Sequence, residues 1–239
     1  MPKIDIKNLT VYYYPKKDSE IVAINDLTVS FKSGYITAIL GPSGSGKSTL
    51  IKTICGLLDY EGDIFVDDRD YSKIDFKERN LAYIDQEMTL NNKITIYENI
   101  AFPLQMKKVP RLEIDKRIKT VANELGMSHC LACYPHQLSI GQCQKALLIK
   151  AIVKQPSILL CDEAFSNLDL ESSRAVAMFL KKYAVNNQIT VLFVTHNFKE
   201  VENIVDEVKI LEDGKLIFDG NSESLYSSSD PVIQELFRS

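Results

Sequence analysis

Apolar and polar positions alternate at the start of the chain. Ile4 and Ile6, then Leu9 and Val11, are the apolar members, which predicts an early strand. IVAINDLTVSF continues strand-like to Phe31, and Ser33-Gly34 marks a turn. YITAIL is then a continuous apolar run of strand length that feeds a loop at residue 41. A helix is expected over 49–58, ended near Gly56 and the acidic turn DYEGD. GDIFVDD reads as a short strand with Asp67-Asp68 as its turn.

From about 87 to 137 the period changes. IYENIAFPLQM and PRLEIDKRIKTVANELGM carry helical spacing, and Ile114, Ile118, Val121 and Leu125 fall on one stripe. Pro110 suits the start of that second helix and Gly126 its end. The block reads as a helical insertion between two parts of one core. Strands and helices alternate again from about 157: SILLCD, a helix through 171–184, ITVLFVT, and a helix near 197–205. VKILEDGKLIFDG predicts a β-hairpin turning at Asp213-Gly214, and DPVIQELF a short terminal helix. No internal repeat or low-complexity linker is visible.

Composition narrows the class. The 239 residues suffice for one sizeable core or two modest ones, and 45% hydrophobic with 25% charged residues is ordinary for a folded soluble protein. A formal net charge of −4 lends no support to a nucleic-acid binder, which would show a basic field. The longest apolar runs, ITVLFV and SILLC, are strand-sized and far short of a membrane span. MPKIDIKN shows no cationic segment followed by an apolar one, so no signal peptide is expected and the compartment is the cytoplasm. Of Cys55, Cys130, Cys133, Cys143 and Cys161, only Cys130 and Cys133 form a CxxC pair. That pair has no second ligand pair at zinc spacing, so plain thiols are expected.

The candidate chemistry lies in two places. Residues 41–49 read GPSGSGKST (Gly41, Pro42, Ser43, Gly44, Ser45, Gly46, Lys47, Ser48, Thr49), placed after a strand and before a helix. Its glycines let the backbone curl around phosphate, and its amides and the positive helix end meet the anion. Lys47 can reach the β- and γ-phosphates and Ser48 can ligate Mg²⁺. Far along the chain, ILLCDE ends a buried strand in Asp162 and Glu163. Adjacent buried acids are costly without a cation. Asp162 would hold the metal's water shell, and Glu163 would polarise the attacking water. His196 ends a strand expected beside that of Asp162, so its ring can reach the γ-phosphate or orient water. Gln86, ending NLAYID and preceding the helical block, is a candidate sensor between nucleotide and partner. LSIGQ at 138–142 offers a hydroxyl, a glycine and amides at a second helix start. Within a helical insertion it cannot easily approach Lys47 of its own chain, and a head-to-tail partner could supply it.

On these residues the chain resembles the ATP-binding subunits of ABC transporters over essentially its whole length. GPSGSGKST is similar to the Walker A motif, ILLCDE to Walker B with its glutamate, and LSIGQ to the LSGGQ signature. SNLD at 166–169 is similar to the D-loop, THN at 195–197 to the switch-histidine region, and Gln86 to the Q-loop glutamine. The resemblance implies an α/β fold: a P-loop NTPase, RecA-like core with an N-terminal antiparallel β subdomain and an inserted α-helical subdomain. One ABC ATPase domain would span 1–239, with 1–86 and 157–239 as nucleotide core and β subdomain and 87–156 as the helical subdomain. It implies ATP and Mg²⁺ as cofactors, with Glu163, His196, Gln86 and Lys47 as catalytic residues. Ser48, Gln86 and Asp162 would face the metal. Ser139, Gly141 and Gln142 would meet the nucleotide across a head-to-tail dimer, formed with itself or a paralogue, and Asp169 would link its two sites. Tyr13, or alternatively Tyr14, would stack on adenine.

Four positions depart from the family pattern. Ile140 replaces a signature glycine, Lys145 and Lys150 stand for arginines, and Ala164 replaces a proline. None removes a catalytic group, so an active ATPase is expected. The stretch NLAYIDQEMTLNNKITIYENIAFPLQMKKVPRLEIDKR, with YPHQLS and SNLD, is most similar to sugar, glycerol-phosphate and polyamine importer subunits. These often carry a C-terminal regulatory barrel, which is not expected in a sequence ending at Ser239. Integral permease subunits, a solute-binding protein, and a place on the cytoplasmic face of the membrane are implied; nucleic acid is not. An exporter or lipid or lipoprotein ATPase, a soluble ABC protein acting on ribosomes or DNA, and a non-hydrolysing structural subunit are the competing readings.

Overall fold

The computed structural model describes residues 2–16, 19–75, 78–85, 89–165, 167–230 and 233–234. Strand β1 (Ile4–Lys16) pairs antiparallel with β2 (Ser19–Phe31). Ile4, Ile6, Leu9 and Val11 are all buried although the parity of the pattern changes between Ile6 and Leu9. A bulge restores it: Asn8 sits at φ 50, its amide N–H donates to Thr28 Oγ1 (3.0 Å), and its side chain donates to Asp26 Oδ1 (2.8 Å). β3 (Ile36–Leu40) is buried throughout. Helix α1 (Lys47–Cys55) begins and ends earlier than the 49–58 the sequence suggests. Gly46 in the left-handed region turns the loop straight into the helix, and Gly56, also left-handed, stops it by donating to the carbonyls of Lys52 and Thr53.

β4 (Glu61–Val66) pairs with β1 and reaches β5 (Arg69–Asp70) through Asp67-Asp68, both at positive φ as such a tight hairpin requires. β6 (Leu81–Ile84) precedes α2 (Ile96–Met106), which opens with a reciprocal Thr95–Glu98 capping box. Pro110 is the N-cap of α3 (Arg111–Glu124), and α4 (Ile140–Ile152) follows. Then come β7 (Ile158–Asp162), α5 (Leu170–Asn187), β8 (Thr190–Val194), β9 (Glu207–Glu212), β10 (Lys215–Gly220) and α6 (Ser222–Tyr226). The β9–β10 hairpin turns at Asp213 and Gly214, both at positive φ, where the sequence places it.

The helix expected near 197–205 is instead a 3₁₀ turn over Phe198–Glu200 followed by further turns. Phe198, Val201 and Ile204 are buried at a spacing of three, which suits consecutive tight turns as well as it suits an α-helix. Thr195, Asn197 and Glu200 bond locally and compete with helical pairing. Most of the expected terminal helix DPVIQELF lies outside the described residues.

Two sheets result. One is antiparallel, in the order β2-β1-β4-β5. The other runs β10-β9-β3-β8-β7-β6 and is parallel except for β10. This is a RecA-like P-loop core with an N-terminal antiparallel β subdomain and an inserted helical subdomain. Its strands feed two cores with period 2. Leu159 and Cys161, with Val191 and Phe193, face the core that includes α2, α3, α4 and α5. Leu160, with Leu192 and Val194, faces α1 and the antiparallel sheet. That alternation places Asp162 on the α1 side. Among the described residues no helix is long and apolar enough to cross a membrane.

Candidate nucleotide site

β3, β7 and β8 are neighbours in the parallel sheet, and their C-terminal ends deliver the 41–49 loop, Asp162-Glu163 and His196 to one rim. The crevice outside such strand ends is where open α/β sheets bind ligands. The loop follows a path only glycine permits at two points. A Cβ on Gly41 (φ +143) would lie 2.1 Å from the carbonyl oxygen of Leu211, and one on Gly46 (φ +97) 2.7 Å from that of Ala23. Residues 41 and 43–49, with Glu163 and His196, line a cavity of about 360 Å³.

Lys47 is buried and holds the arch of the loop. Its Nζ donates to the carbonyls of Gly41 (2.9 Å) and Pro42 (2.7 Å), with Ser45 Oγ at 3.4 Å. Burial pushes its ammonium below the usual lysine range, against the pull of the Glu163 and Asp162 carboxylates. An anion in the cavity would favour the charged form.

Ser48 Oγ donates to Asp162 Oδ1 at 2.9 Å, joining the first turn of α1 to the end of β7. Burial raises the Asp162 pKa above the usual carboxylate range even though the Ser48 hydrogen bond opposes it. A hydroxyl and a buried carboxylate side by side, next to a phosphate-shaped loop, form the donor set a hard cation such as Mg²⁺ takes. The residues present therefore fit the metal. Gln86, the third expected metal neighbour, lies outside the described residues.

Glu163 leaves β7 in a left-handed conformation (φ 51), with its amide N–H donating to the Val194 carbonyl at 2.9 Å. Its Oε1 stands 3.4 Å from His196 Nδ1, and the imidazole is largely exposed. The Tyr13 hydroxyl lies 3.4 Å from Thr49 Oγ1, against the loop-bearing end of α1. The Tyr14 side chain is outside the described residues.

Ser139, Gly141 and Gln142 do not line this cavity. Ser139 caps α4: its Oγ accepts from the Gln142 amide (3.2 Å), while Gln142 Oε1 accepts from the Ser139 amide (2.9 Å). Ile140 beside it is 68% exposed. A Cβ on Gly141 would come within 2.9 Å of Leu168 Cδ2, so the start of α4 packs against Leu168, a contact sequence spacing does not reveal. Asp169 caps α5, accepting from the Ser172 amide (2.9 Å) and hydroxyl (2.6 Å), and these bonds hold its pKa below the usual range. Lys150 is half-buried and pushed down by burial; Ala164 is buried.

A family model described as ABC transporter matches residues 24–166, more than half of the chain. The chain is 34% identical over 212 residues to the molybdate/tungstate import ATP-binding protein of Thermococcus kodakarensis, covering 88% of this chain and 64% of that protein. It is 35% identical over 234 residues to the glucose import ATP-binding protein of Saccharolobus solfataricus, covering 95% and 65%. It is 34% identical over 241 residues to the methionine import ATP-binding protein of Symbiobacterium thermophilum, covering 98% and 72%. The chain thus spans somewhat under two-thirds of the length of the first two relatives. Among solved structures, a dimeric bacterial ABC transporter cassette superposes with a TM-score of 0.83 at 27% identity, over 91% of this chain and 98% of that one.

Proposed function

The chain belongs to the ABC transporter family, and from that premise we propose that it is an ATP-hydrolysing subunit that powers movement of a small solute across a membrane. The observation that carries the reading is the Ser48–Asp162 hydrogen bond at the mouth of a glycine-shaped loop, with Glu163 and His196 on the same cavity wall. Lys47 and the loop amides hold the β- and γ-phosphates of ATP. Ser48, Asp162 and Gln86 would hold Mg²⁺, which would supply charge neutralisation at the phosphates when bound. Glu163 accepts a proton from the attacking water at a carboxylate oxygen, and His196 orients that water or the γ-phosphate. Tyr13 flanks the adenine.

Ser139, Gly141 and Gln142 serve the site of a second copy or a paralogue in a head-to-tail dimer, and Asp169 links the two sites. Support comes from their position outside the chain's own cavity and from the dimeric solved cassette. We read 87–156 as the lobe that meets integral permease subunits at the cytoplasmic face of the membrane. Residues 1–86 and 157–239 form the nucleotide lobe. Import, with a solute-binding protein upstream, is favoured by relatives named for importing molybdate or tungstate, glucose and methionine.

The test is ATPase turnover of the purified chain across a range of protein concentrations, alongside Glu163→Gln. Turnover that rises more steeply than linearly and is lost in the variant supports the reading. Turnover indifferent to Glu163 sinks it. No turnover either alone or in a permease complex pulled from membranes favours a structural subunit.

A further inference from the structure

His196 is poorly held by its own side chain. The imidazole is largely exposed, and among the described residues its polar contact across the cavity is Glu163 Oε1 at 3.4 Å. An exposed ring hops between rotamers, so its aim depends on the backbone that carries it. That backbone is a turn, and the turn is tied from below. Thr195, only 2% exposed, accepts the Asn197 amide N–H at its Oγ1 (3.0 Å). The Thr195 hydroxyl has Glu200 Oε2 and the Asn197 carbonyl as acceptors, both at 3.3 Å. Asn197 Nδ2 donates to Glu200 Oε1 at 3.2 Å. One carboxylate therefore grips the residues on either side of His196, one with each oxygen. Phe198, buried, anchors the same turn in the core.

We infer that Glu200 is a positioning residue for the γ-phosphate end of the site: it clamps Thr195 and Asn197 so that the imidazole of His196 between them is presented to Glu163 and the reacting water. The inference rests on the proposed hydrolytic role of this cavity. A carboxylate that served stability alone has cheaper places than a half-buried turn, since burial disfavours its charge. Here that cost is offset by two hydrogen bonds that define one loop shape. Displacing a reacting group by about 1 Å can cost a hundredfold in rate, which sets the scale of what the clamp protects.

The experiment compares the full chain with Glu200→Ala, Glu200→Gln, His196→Ala and the double variant Glu200→Ala/His196→Ala. Readouts are kcat, KM for ATP, and the imidazole resonances of labelled histidine. The chain has three histidines, so the His196 signal is assigned by its loss in His196→Ala. Glu200→Ala is expected to lower kcat roughly 10- to 100-fold with KM changed less than about twofold, and to move the His196 resonance alone. In the double variant it adds no further loss, because it acts through a ring already absent. Glu200→Gln keeps the volume but leaves one acceptor, with an NH₂ group facing either Asn197 Nδ2 or the Thr195 hydroxyl. It is expected to fall between wild type and Glu200→Ala, and it stands in if the alanine variant does not fold. An equal loss of kcat with and without His196, or an unmoved His196 resonance, overturns the inference. If wild type hydrolyses no ATP either alone or in a permease complex, the functional reading fails, while the resonance still reports whether Glu200 sets the ring.

Discussion

At the scale of single residues, GPSGSGKST and ILLCDE marked Ser48 and Asp162 as candidates in the sequence, and strand parity explains why the fold brings them together. Once Cys161 is assigned to one core, Asp162 must face α1, and the Ser48 hydroxyl is there at 2.9 Å. The geometry of Glu163 was not legible. Nothing in an Asp-Glu pair announces a left-handed glutamate, and φ 51 comes from the chain leaving β7 while its amide still bonds to Val194. Replacing Glu163 by Gln keeps the shape and removes the proposed base, so kcat is expected to fall about 10²- to 10⁴-fold while ATP affinity persists. Turnover and nucleotide binding measured on the same preparation check this. Cys55 carries a different prediction. Burial lifts its thiol from 9.0 to about 11. The unfolded chain ionises first as pH rises, so the folded state binds more protons between those values and loses stability across them. The loss reaches roughly 3 kcal/mol at most. Denaturant midpoints from pH 8 to 11 should decline, and less steeply in Cys55→Ala; equal slopes would refute the assignment. Buried Tyr71, Tyr83 and Cys161, also raised by burial, steepen the same decline.

Elements were legible where turn chemistry and period agree. The Asp213-Gly214 hairpin, the helix ended at Gly56 and the α3 stripe all have local causes. The 197–205 segment was misread because buried residues three apart fit two kinds of turn, and only the side-chain bonds of Thr195, Asn197 and Glu200 decide between them. The start of α4 tests whether an element end does more than cap. Ser139→Ala removes the cap and should cost about 1 kcal/mol, a fall of a few degrees in Tm. If Ser139 also meets nucleotide in another chain, turnover should drop well beyond the folded fraction lost. Thermal melts and ATPase rates of the one variant separate the two effects, and a rate that merely tracks stability leaves Ser139 as a cap alone.

At the scale of the whole molecule, the helical block was visible as a change of period, but its attachment was not. Ile100, Ile114 and Ile118 share one continuous core with Ala82 and Leu159 of the parallel sheet, a long-range packing that no local pattern encodes. The same limit applies to the proposed shared site. Lys47 lines the cavity while Ser139, Gly141 and Gln142 do not, and exposed Ile140 presents that surface outward. In the proposed head-to-tail pair, both sites would close at once, each from one loop and one α4 start. Complementation follows from that geometry. Lys47→Ala spoils the loop and spares the α4 start; Ser139→Arg does the reverse. In a mixed dimer one site then combines both lesions and the other combines neither. With equal mixing about half the dimers are mixed, each with one sound site, so turnover should recover up to about a quarter of wild type from two nearly inactive proteins. If each chain held a complete site, the mixture would stay at the mean of its inactive components whatever the concentration. Recovery that rises with total protein, measured by ATPase rate in mixtures of fixed ratio, distinguishes a shared site from a private one.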